Sequence, residues 1–119
     1  MWDNAYCIHE FEGEFVPFLD ILSLCEEAGN PDMVYEFTST SKISYPGAGV
    51  SAIASSPANI AHIKKIMTIQ TIGHDKLNML RHVKYFKNAQ GVDDYMKRHA
   101  EILRPKFNIV SIIPGIEAL

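Results

Sequence analysis

The order of predicted elements restricts the fold of this chain more than any other sequence feature. Three short segments of β-type composition, residues 2–8, 33–38 and 50–54, precede residue 55, and every later segment has helical periodicity. Three short strands make a thin sheet, which favours their being one side of a larger sheet. The predicted fold class is therefore α/β, with about three short strands early in the chain followed by three helices.

A further helix is predicted between the first two strands. Residues 9–16 are acidic and predict a loop, and Pro17 suits the first turn of a helix that runs to about Ala28. Residues 29–31, Gly-Asn-Pro, would end that helix. The loop of residues 39–49 is rich in hydroxyl groups and ends in Pro-Gly-Ala-Gly, which predicts a tight turn between two strands.

The helical region opens with Ser56 and Pro57, a favourable N-cap and first-turn pair. Pro105 is expected to kink or end the last helix near Leu103. Apolar residues at helical spacing define three faces: Ile60, Ile63, Ile66 and Met67; Leu77, Leu80, Val83 and Phe86; and Val92, Tyr95, Met96, Ile102 and Leu103.

Composition excludes several classes of partner. The 119 residues are 47% hydrophobic and 21% charged, which is typical of a packed domain, and the net charge of -3 offers no basic face to nucleic acid. No apolar run approaches the roughly 18 residues of a membrane span. Met1-Trp2-Asp3 does not resemble a signal peptide. We therefore expect neither a nucleic-acid nor a membrane partner.

Cysteine and histidine spacing argues against a metal site. Cys7 and Cys25 match neither a close metal pair nor a disulfide framework, so reduced thiols in the cytoplasm are expected. No two of the five histidines lie three or four residues apart, so no helical metal site is predicted. His62 and His82 are predicted to be helix-surface residues.

The segment Ser39-Thr40-Ser41-Lys42 places a lysine just past the end of a predicted strand, among hydroxyl groups. Such a lysine can form a Schiff base while the hydroxyls contact a phosphate, although Lys42 taken alone also fits a solvated loop lysine. Asp3 and Tyr6 favour the first interpretation, because ligand groups gather at the carboxyl ends of adjacent strands in open α/β sheets. A carboxylate that keeps a pyridine ring protonated creates the electron sink of pyridoxal 5'-phosphate (PLP) chemistry.

The pattern Asp-x-Ala-Tyr followed by Ser-x-Ser-Lys resembles the fold-type I PLP enzymes, specifically the class I aminotransferases. Residues 37–50, 72–82 and 99–107 look like the aspartate-aminotransferase-like subgroup related to MocR-type proteins. The resemblance implies that residues 1–119 are a single fragment from the rear of the PLP-binding large domain. Its strands and cofactor-lysine loop would occupy residues 1–56, and its helices residues 57–108.

Residue roles follow from this resemblance. Lys42 would form the Schiff base with PLP and move the α-proton as general base and acid. Asp3 would pair with the pyridinium nitrogen, and Tyr6 would hydrogen-bond the phenolic oxygen of the cofactor. Ser39 and Ser41 would contact the phosphate.

One position departs from the pattern, since class I enzymes carry a phosphate-binding arginine eight residues after the lysine and Val50 stands there. The resemblance implies a segment of a dimeric aminotransferase that moves an amino group between an amino acid and a 2-oxo acid, incomplete on its own. The alternative is a non-catalytic truncated fragment that folds by self-association. Both ends of the chain are apolar and are expected to be cut edges, or surfaces that another chain covers.

Overall fold

The computed structural model describes residues 1–10, 13 and 16–112, without the side chain of Ser111. The predictions for residues 11, 12, 14 and 15 of the acidic loop, and for the apolar tail beyond residue 112, lie outside these ranges. The strands are β1 (Trp2–Asp3), β2 (Glu36–Ser39) and β3 (Ser51–Ala54). The helices are α1 (Ile21–Glu27), α2 (Pro57–Gln70), α3 (Lys76–Phe86) and α4 (Ala89–Ser111), with 3₁₀ turns at Pro31–Met33 and Thr40–Lys42. This order confirms the α/β class, with early strands and three helices after them.

The three strands form one sheet in the order β1-β2-β3. Strand β1 pairs with β2 in parallel, with Asp3 opposite Phe37, whereas β3 runs antiparallel to β2, with Ser51 opposite Ser39. A parallel pair requires a crossover connection, and the segment that contains α1 supplies it. The carboxyl ends of β1 and β2 therefore lie at the same edge of the sheet.

The first two strands are shorter than the sequence predicts. The prediction of a strand over residues 2–8 is wrong beyond Asp3, because residues 5–8 turn and the N–H of His9 donates to the carbonyl of Tyr6 at 3.0 Å. The prediction over residues 33–38 is displaced, because Pro31 opens a 3₁₀ turn that leaves strand pairing to begin at Glu36. Strand β3 begins one residue after Val50, near its predicted start.

Helix α1 begins at Ile21 instead of near Pro17, because Asp20 caps it. The Asp20 carboxylate accepts hydrogen bonds from the Ser23 hydroxyl at 2.7 Å and from the Ser23 N–H at 3.1 Å. These bonds, the hydroxyl bond foremost, lower the pKa of the Asp20 carboxyl below its ordinary value. The predicted end is confirmed, since Gly29 follows the helix with φ +72° and donates to the carbonyl of Glu26 at 2.9 Å.

The start of α2 is as predicted, with Ser56 as N-cap and Pro57 as the first helical residue. Of the two outcomes predicted for Pro105, a kink or an end of the last helix, the end is wrong, because α4 continues through Pro105 to Ser111. A proline removes one backbone hydrogen bond from a helix, and the turns on either side of it remain helical here. No helix among the described residues is long and apolar enough to cross a membrane.

The contact between α3 and α4 holds most of the buried apolar side chains. Val34, Phe86, Met96 and Ala100 are buried. The Phe86 and Tyr95 rings meet edge to face with their centroids 5.5 Å apart. Of the face predicted for α3, only Phe86 is buried, because α3 meets α4 through its C-terminal end. Its other members are exposed: Leu77, Leu80 and Val83.

Candidate active site at the edge of the sheet

The predicted site residues lie at the shared edge formed by the carboxyl ends of β1 and β2. Asp3 ends β1, Ser39 ends β2, and Lys42 closes the 3₁₀ turn that directly follows β2. The parallel pairing of β1 with β2 therefore brings Asp3 and the lysine segment to one region of the molecule. This is the place where open α/β sheets gather ligand-binding groups.

Lys42 and Tyr6 are in direct proximity. The Lys42 Nζ lies 5.9 Å from the centroid of the Tyr6 ring, within the range of a cation–π contact. The His9 ring meets the Tyr6 ring edge to face at 5.3 Å, and its Nε2 lies 2.9 Å from the carbonyl oxygen of Lys42. A carbonyl only accepts, so Nε2 carries the hydrogen. His9 is a member of the site that no sequence pattern indicates, because its partner is 33 residues away.

Asp3 is exposed, and its carboxylate accepts a hydrogen bond from the N–H of Ala5 at 3.3 Å. This short turn carries the chain from β1 toward Tyr6. Asn4 anchors the turn to β2, because its N–H donates to the carbonyl of Phe37 at 2.8 Å and its side-chain amide donates to Glu36 at 3.0 Å. The path from Asp3 to Tyr6 is thus bound to the strand that leads to Lys42.

Ser39 and Ser41 lie next to each other at the start of the lysine segment. Both are half-buried, and the N–H of Ser41 donates to the hydroxyl of Ser39 at 3.4 Å. Gly49 approaches Ser41 so closely that a Cβ added at Gly49 would lie 2.5 Å from the Ser41 Oγ. The two hydroxyls beside Lys42 are suitable partners for phosphate oxygens.

Residues 40–50, which we call the lysine loop, are closed at their base by Thr40 and Val50. The N–H of Thr40 donates to the carbonyl of Val50 at 2.9 Å, and the N–H of Val50 donates to the hydroxyl of Thr40 at 2.8 Å. Val50 lines a small cavity whose other lining residues are mostly apolar, Ile43 and Phe86 among them. The residue found where the resemblance expects an arginine is therefore part of an apolar wall.

The prediction that His82 is a helix-surface residue is wrong, whereas His62 is exposed as predicted. His82 is half-buried against the lysine loop, with Nε2 2.9 Å from the Thr40 hydroxyl and 2.7 Å from the Ser44 hydroxyl. One turn earlier, Asn78 is only 7% exposed, and its amide donates to the carbonyls of Ala48 and Gly49. Two uncharged polar side chains four residues apart, and therefore on one face of the helix, were the signal that could have identified both.

A broad groove of about 900 Å³ lies beside these contacts, and its lining includes Asn78, His82, Tyr85 and the cations Arg81 and Lys84. Its lining does not include Lys42, Asp3 or Tyr6. Within residues 1–10, 13 and 16–112, no group of three His, Cys, Asp or Glu side chains could hold a metal ion.

Comparison with known proteins agrees with this geometry. A sequence profile of the family described as aspartate amino-transferase matches residues 1–116. The chain is 48% identical over 113 residues to a Mycolicibacterium smegmatis protein provisionally named as an aminotransferase, covering 95% of this chain and 26% of that protein. It is 46% identical over 110 residues to an aspartate aminotransferase of Corynebacterium glutamicum, covering 92% of this chain and 26% of that protein.

Solved structures show the same relationship. The crystal structure of an aspartate transaminase from Corynebacterium glutamicum superimposes with a TM-score of 0.87 at 46% identity, covering 92% of this chain and 26% of that chain. The crystal structure of a Corynebacterium diphtheriae protein provisionally named as an aminotransferase gives a TM-score of 0.87 at 39% identity, covering 92% of this chain and 27% of that chain. The chain thus spans about a quarter of the length of the relatives that it matches.

Proposed function

Since the chain belongs to the aspartate amino-transferase family, we propose that it supplies the cofactor lysine, Lys42, of a PLP-dependent aminotransferase. The reaction would move an amino group between an amino acid and a 2-oxo acid. The observation that carries this proposal is the position of Lys42, which lies directly after β2 with its Nζ 5.9 Å from the Tyr6 ring centroid. Asp3 ends the adjacent parallel strand at the same edge.

The side chains at this edge fit PLP by their chemistry. The carboxylate is a partner for the pyridine nitrogen, and the phenol is a partner for the phenolic oxygen. The two hydroxyls are partners for the phosphate, and the primary amine is a partner for the aldehyde. Bound PLP would supply an electron sink that withdraws electrons from the substrate's α-carbon. The apolar wall at Val50 means that the cation for the phosphate would come from another position.

Each residue at this edge has a separate task in the proposed reaction. Lys42 would hold the cofactor through its amine and afterwards take up and return a proton at Nζ. Asp3 would keep a proton on the ring nitrogen by its negative charge. Tyr6 would donate its phenolic hydrogen to the cofactor oxygen, and its ring limits the positions open to the Lys42 side chain. His9 would hold the Lys42 backbone through its 2.9 Å hydrogen bond.

A covalent-capture experiment tests the proposal. The chain is mixed with PLP, reduced with borohydride, digested, and mapped for the cofactor label by mass spectrometry. We expect the label on Lys42, with loss of that label in Lys42→Ala and its retention in Lys65→Ala, which removes an exposed lysine of α2. A label spread evenly over the surface lysines would contradict the proposal.

A second candidate function, a non-catalytic chain that self-associates, is favoured by the exposed apolar side chains of α3. Leu77 is 59% exposed, Leu80 49% and Val83 65%. A face of this kind commonly marks an interaction surface. The capture experiment separates the two candidates, because self-association alone would proceed without any label at Lys42. The first candidate also includes a homo-oligomer, so the label decides between them.

A further inference from the structure

Two side chains of α3 contact the two halves of the lysine loop, which we call the outgoing limb (residues 40–44) and the returning limb (residues 48–50). His82 contacts the outgoing limb, with Nε2 2.9 Å from the Thr40 hydroxyl and 2.7 Å from the Ser44 hydroxyl. Asn78 contacts the returning limb, where its amide donates to the carbonyls of Ala48 and Gly49. Residues four positions apart on a helix lie on the same face, so one short stretch of α3 reaches both limbs.

The direction of these hydrogen bonds follows from the partners. The Nδ1 of His82 lies 2.9 Å from the carbonyl oxygen of Asn78, which can only accept, so Nδ1 carries a hydrogen. In the neutral ring Nε2 is then an acceptor. The Thr40 hydroxyl accepts the N–H of Val50 at 2.8 Å and keeps its own hydrogen to donate to Nε2. The Ser44 hydroxyl lies 2.7 Å from Nε2 and 3.0 Å from the carbonyl oxygen of Thr40, and its hydrogen is shared between these two acceptors.

This arrangement connects His82 to the base of the lysine loop. The Thr40 hydroxyl is the shared atom, since it joins His82 on one side and the N–H of Val50 on the other. Removing the acceptor at His82 releases the Thr40 side chain, so that its Oγ1 is no longer held in line with the N–H of Val50 and the closure is weakened. Lys42 lies within the segment that this closure defines.

Asn78 acts on the same segment from the returning limb. It fixes the carbonyl of Gly49, and Gly49 packs against Ser41 with no space for a Cβ. Ser41 is the neighbour of Lys42 in the 3₁₀ turn. Asn78 is only 7% exposed, and a buried amide without a hydrogen-bond partner would cost free energy. The hydrogen bonds from Asn78 to the returning limb are therefore expected to be kept.

We propose that Asn78 and His82 are positioning residues that set the shape of the lysine loop and thereby the placement of Lys42 for PLP. This inference rests on the proposed function for the role of Lys42. Neither residue is expected to touch the cofactor, so they would act only through Thr40, Ser44 and the returning limb. The effect is predicted to be present in the cofactor-free chain, which permits a test that does not depend on PLP.

The test uses a matched pair of variants. His82→Gln places an amide oxygen near the position of Nε2 and can still accept from Thr40, whereas His82→Asn retains only a group near the position of Nδ1. In the cofactor-free chain we expect His82→Asn to raise amide hydrogen exchange at Val50 about ten-fold, the effect of losing one hydrogen bond. The amides of the β2–β3 ladder should be unchanged. His82→Gln should remain within about two-fold of the parent chain.

The capture experiment provides the second readout. Label at Lys42 should fall about ten-fold in His82→Asn and be largely restored in His82→Gln, while His62→Asn, at an exposed position of α2, should match the parent chain. Should His82→Asn fail to fold, Thr40→Val removes the shared hydroxyl at similar volume, with Thr40→Ser as the control that retains it.

Two results would overturn the inference: unchanged exchange at Val50 in His82→Asn, or an equal rise at every amide, which would indicate general destabilisation. Absence of label at Lys42 in the parent chain would instead remove the proposed function. The exchange pattern of the cofactor-free variants would then still decide whether His82 shapes the lysine loop.

Discussion

The amine of Lys42 lies over the ring of Tyr6, with 5.9 Å between Nζ and the ring centroid. The two residues follow different strands and meet because β1 and β2 run parallel, so that both strands deliver their next residues to the same edge. Tyr6 is 60% exposed and Lys42 is also exposed, so the contact leaves the amine accessible to a ligand. A lysine that forms a Schiff base with an aldehyde needs an amine that is accessible to the ligand and held in a fixed direction.

Replacing Tyr6 tests the two parts of its role separately. Tyr6→Phe keeps the ring over Lys42 and removes the hydroxyl, so we expect PLP capture at Lys42 to persist with an altered absorption spectrum. Tyr6→Ala removes the ring as well, and capture should fall about two- to five-fold, the effect of losing an exposed cation–π contact. Quantitative mapping of the borohydride-fixed label measures both. Identical spectra for the parent chain and Tyr6→Phe would contradict the predicted role of the hydroxyl.

Gly49→Ala should distort the lysine loop because the added Cβ would lie 2.5 Å from the Ser41 Oγ and 3.0 Å from the Ser41 nitrogen. We expect a loss of about 1–3 kcal/mol in the free energy of unfolding, the usual range for overpacking, measured by urea denaturation. Gly73→Ala is the matched control, since nothing lies within 4 Å of a Cβ there. Equal stability of the two variants would show that Ser41 can move aside freely.

Ser56→Ala should weaken the start of α2. The Ser56 hydroxyl is buried, accepts the N–H of Asn59 at 3.2 Å and donates to the Asp32 carboxylate. Losing the cap should lower the free energy of unfolding by about 1–2 kcal/mol in urea denaturation. Ser51→Ala, at an exposed position of β3, should change it by less than about 0.5 kcal/mol. If the Ser56 cap did not stabilise α2, Ser56→Ala and Ser51→Ala would have the same free energy of unfolding.

The Asp20 cap predicts a pH dependence confined to α1. Hydrogen bonds from Ser23 lower the pKa of the Asp20 carboxyl below its ordinary value of 3.8, so the folded-state pKa lies below that of the unfolded chain. The cap therefore stabilises α1 above pH 3.8, and this contribution is lost as the pH falls through the lower folded-state pKa. The Ser23 amide resonance followed by NMR should titrate with a midpoint below 3.8.

Asp20→Asn is the control for that titration, because asparagine caps a helix about as well as aspartate and does not ionise in this range. The Ser23 amide in Asp20→Asn should show no step over the same pH interval. A step of similar size in that variant would assign the titration to another carboxyl group.

The elements that depend on local chemistry could be predicted from the sequence. Ser56 with Pro57 gave the start of α2, and Gly29 the end of α1, because capping and stop signals act within a few residues. The start of α1 was misplaced because Asp20 offered a better cap than the turn at Pro17. Pro105 was expected to kink or end α4, but one missing hydrogen bond does not stop a helix of 23 residues.

The candidate site was predictable only where strand ends specify position. Parallel pairing of the first two strands was sufficient to place Asp3, Tyr6 and Lys42 at one edge. His9 and His82 could not be placed in the same way, because their partners are 33 and 42 residues away and their contacts depend on packing. The sequence pattern on α3 predicted an apolar face that includes Phe86, although the buried positions of this helix also include the polar Asn78.

The contact between Thr40 and His82 also determines when the lysine loop can take its final shape during synthesis of the chain. His82 is made 42 residues after Thr40, so the ribosome completes Lys42 well before the helix that holds its loop exists. Until α3 forms, the segment around Lys42 lacks the partners that fix its outgoing and returning limbs. The nascent chain therefore contains the lysine loop before the helix that contacts it, so the loop reaches the geometry described here only after α3 has been translated.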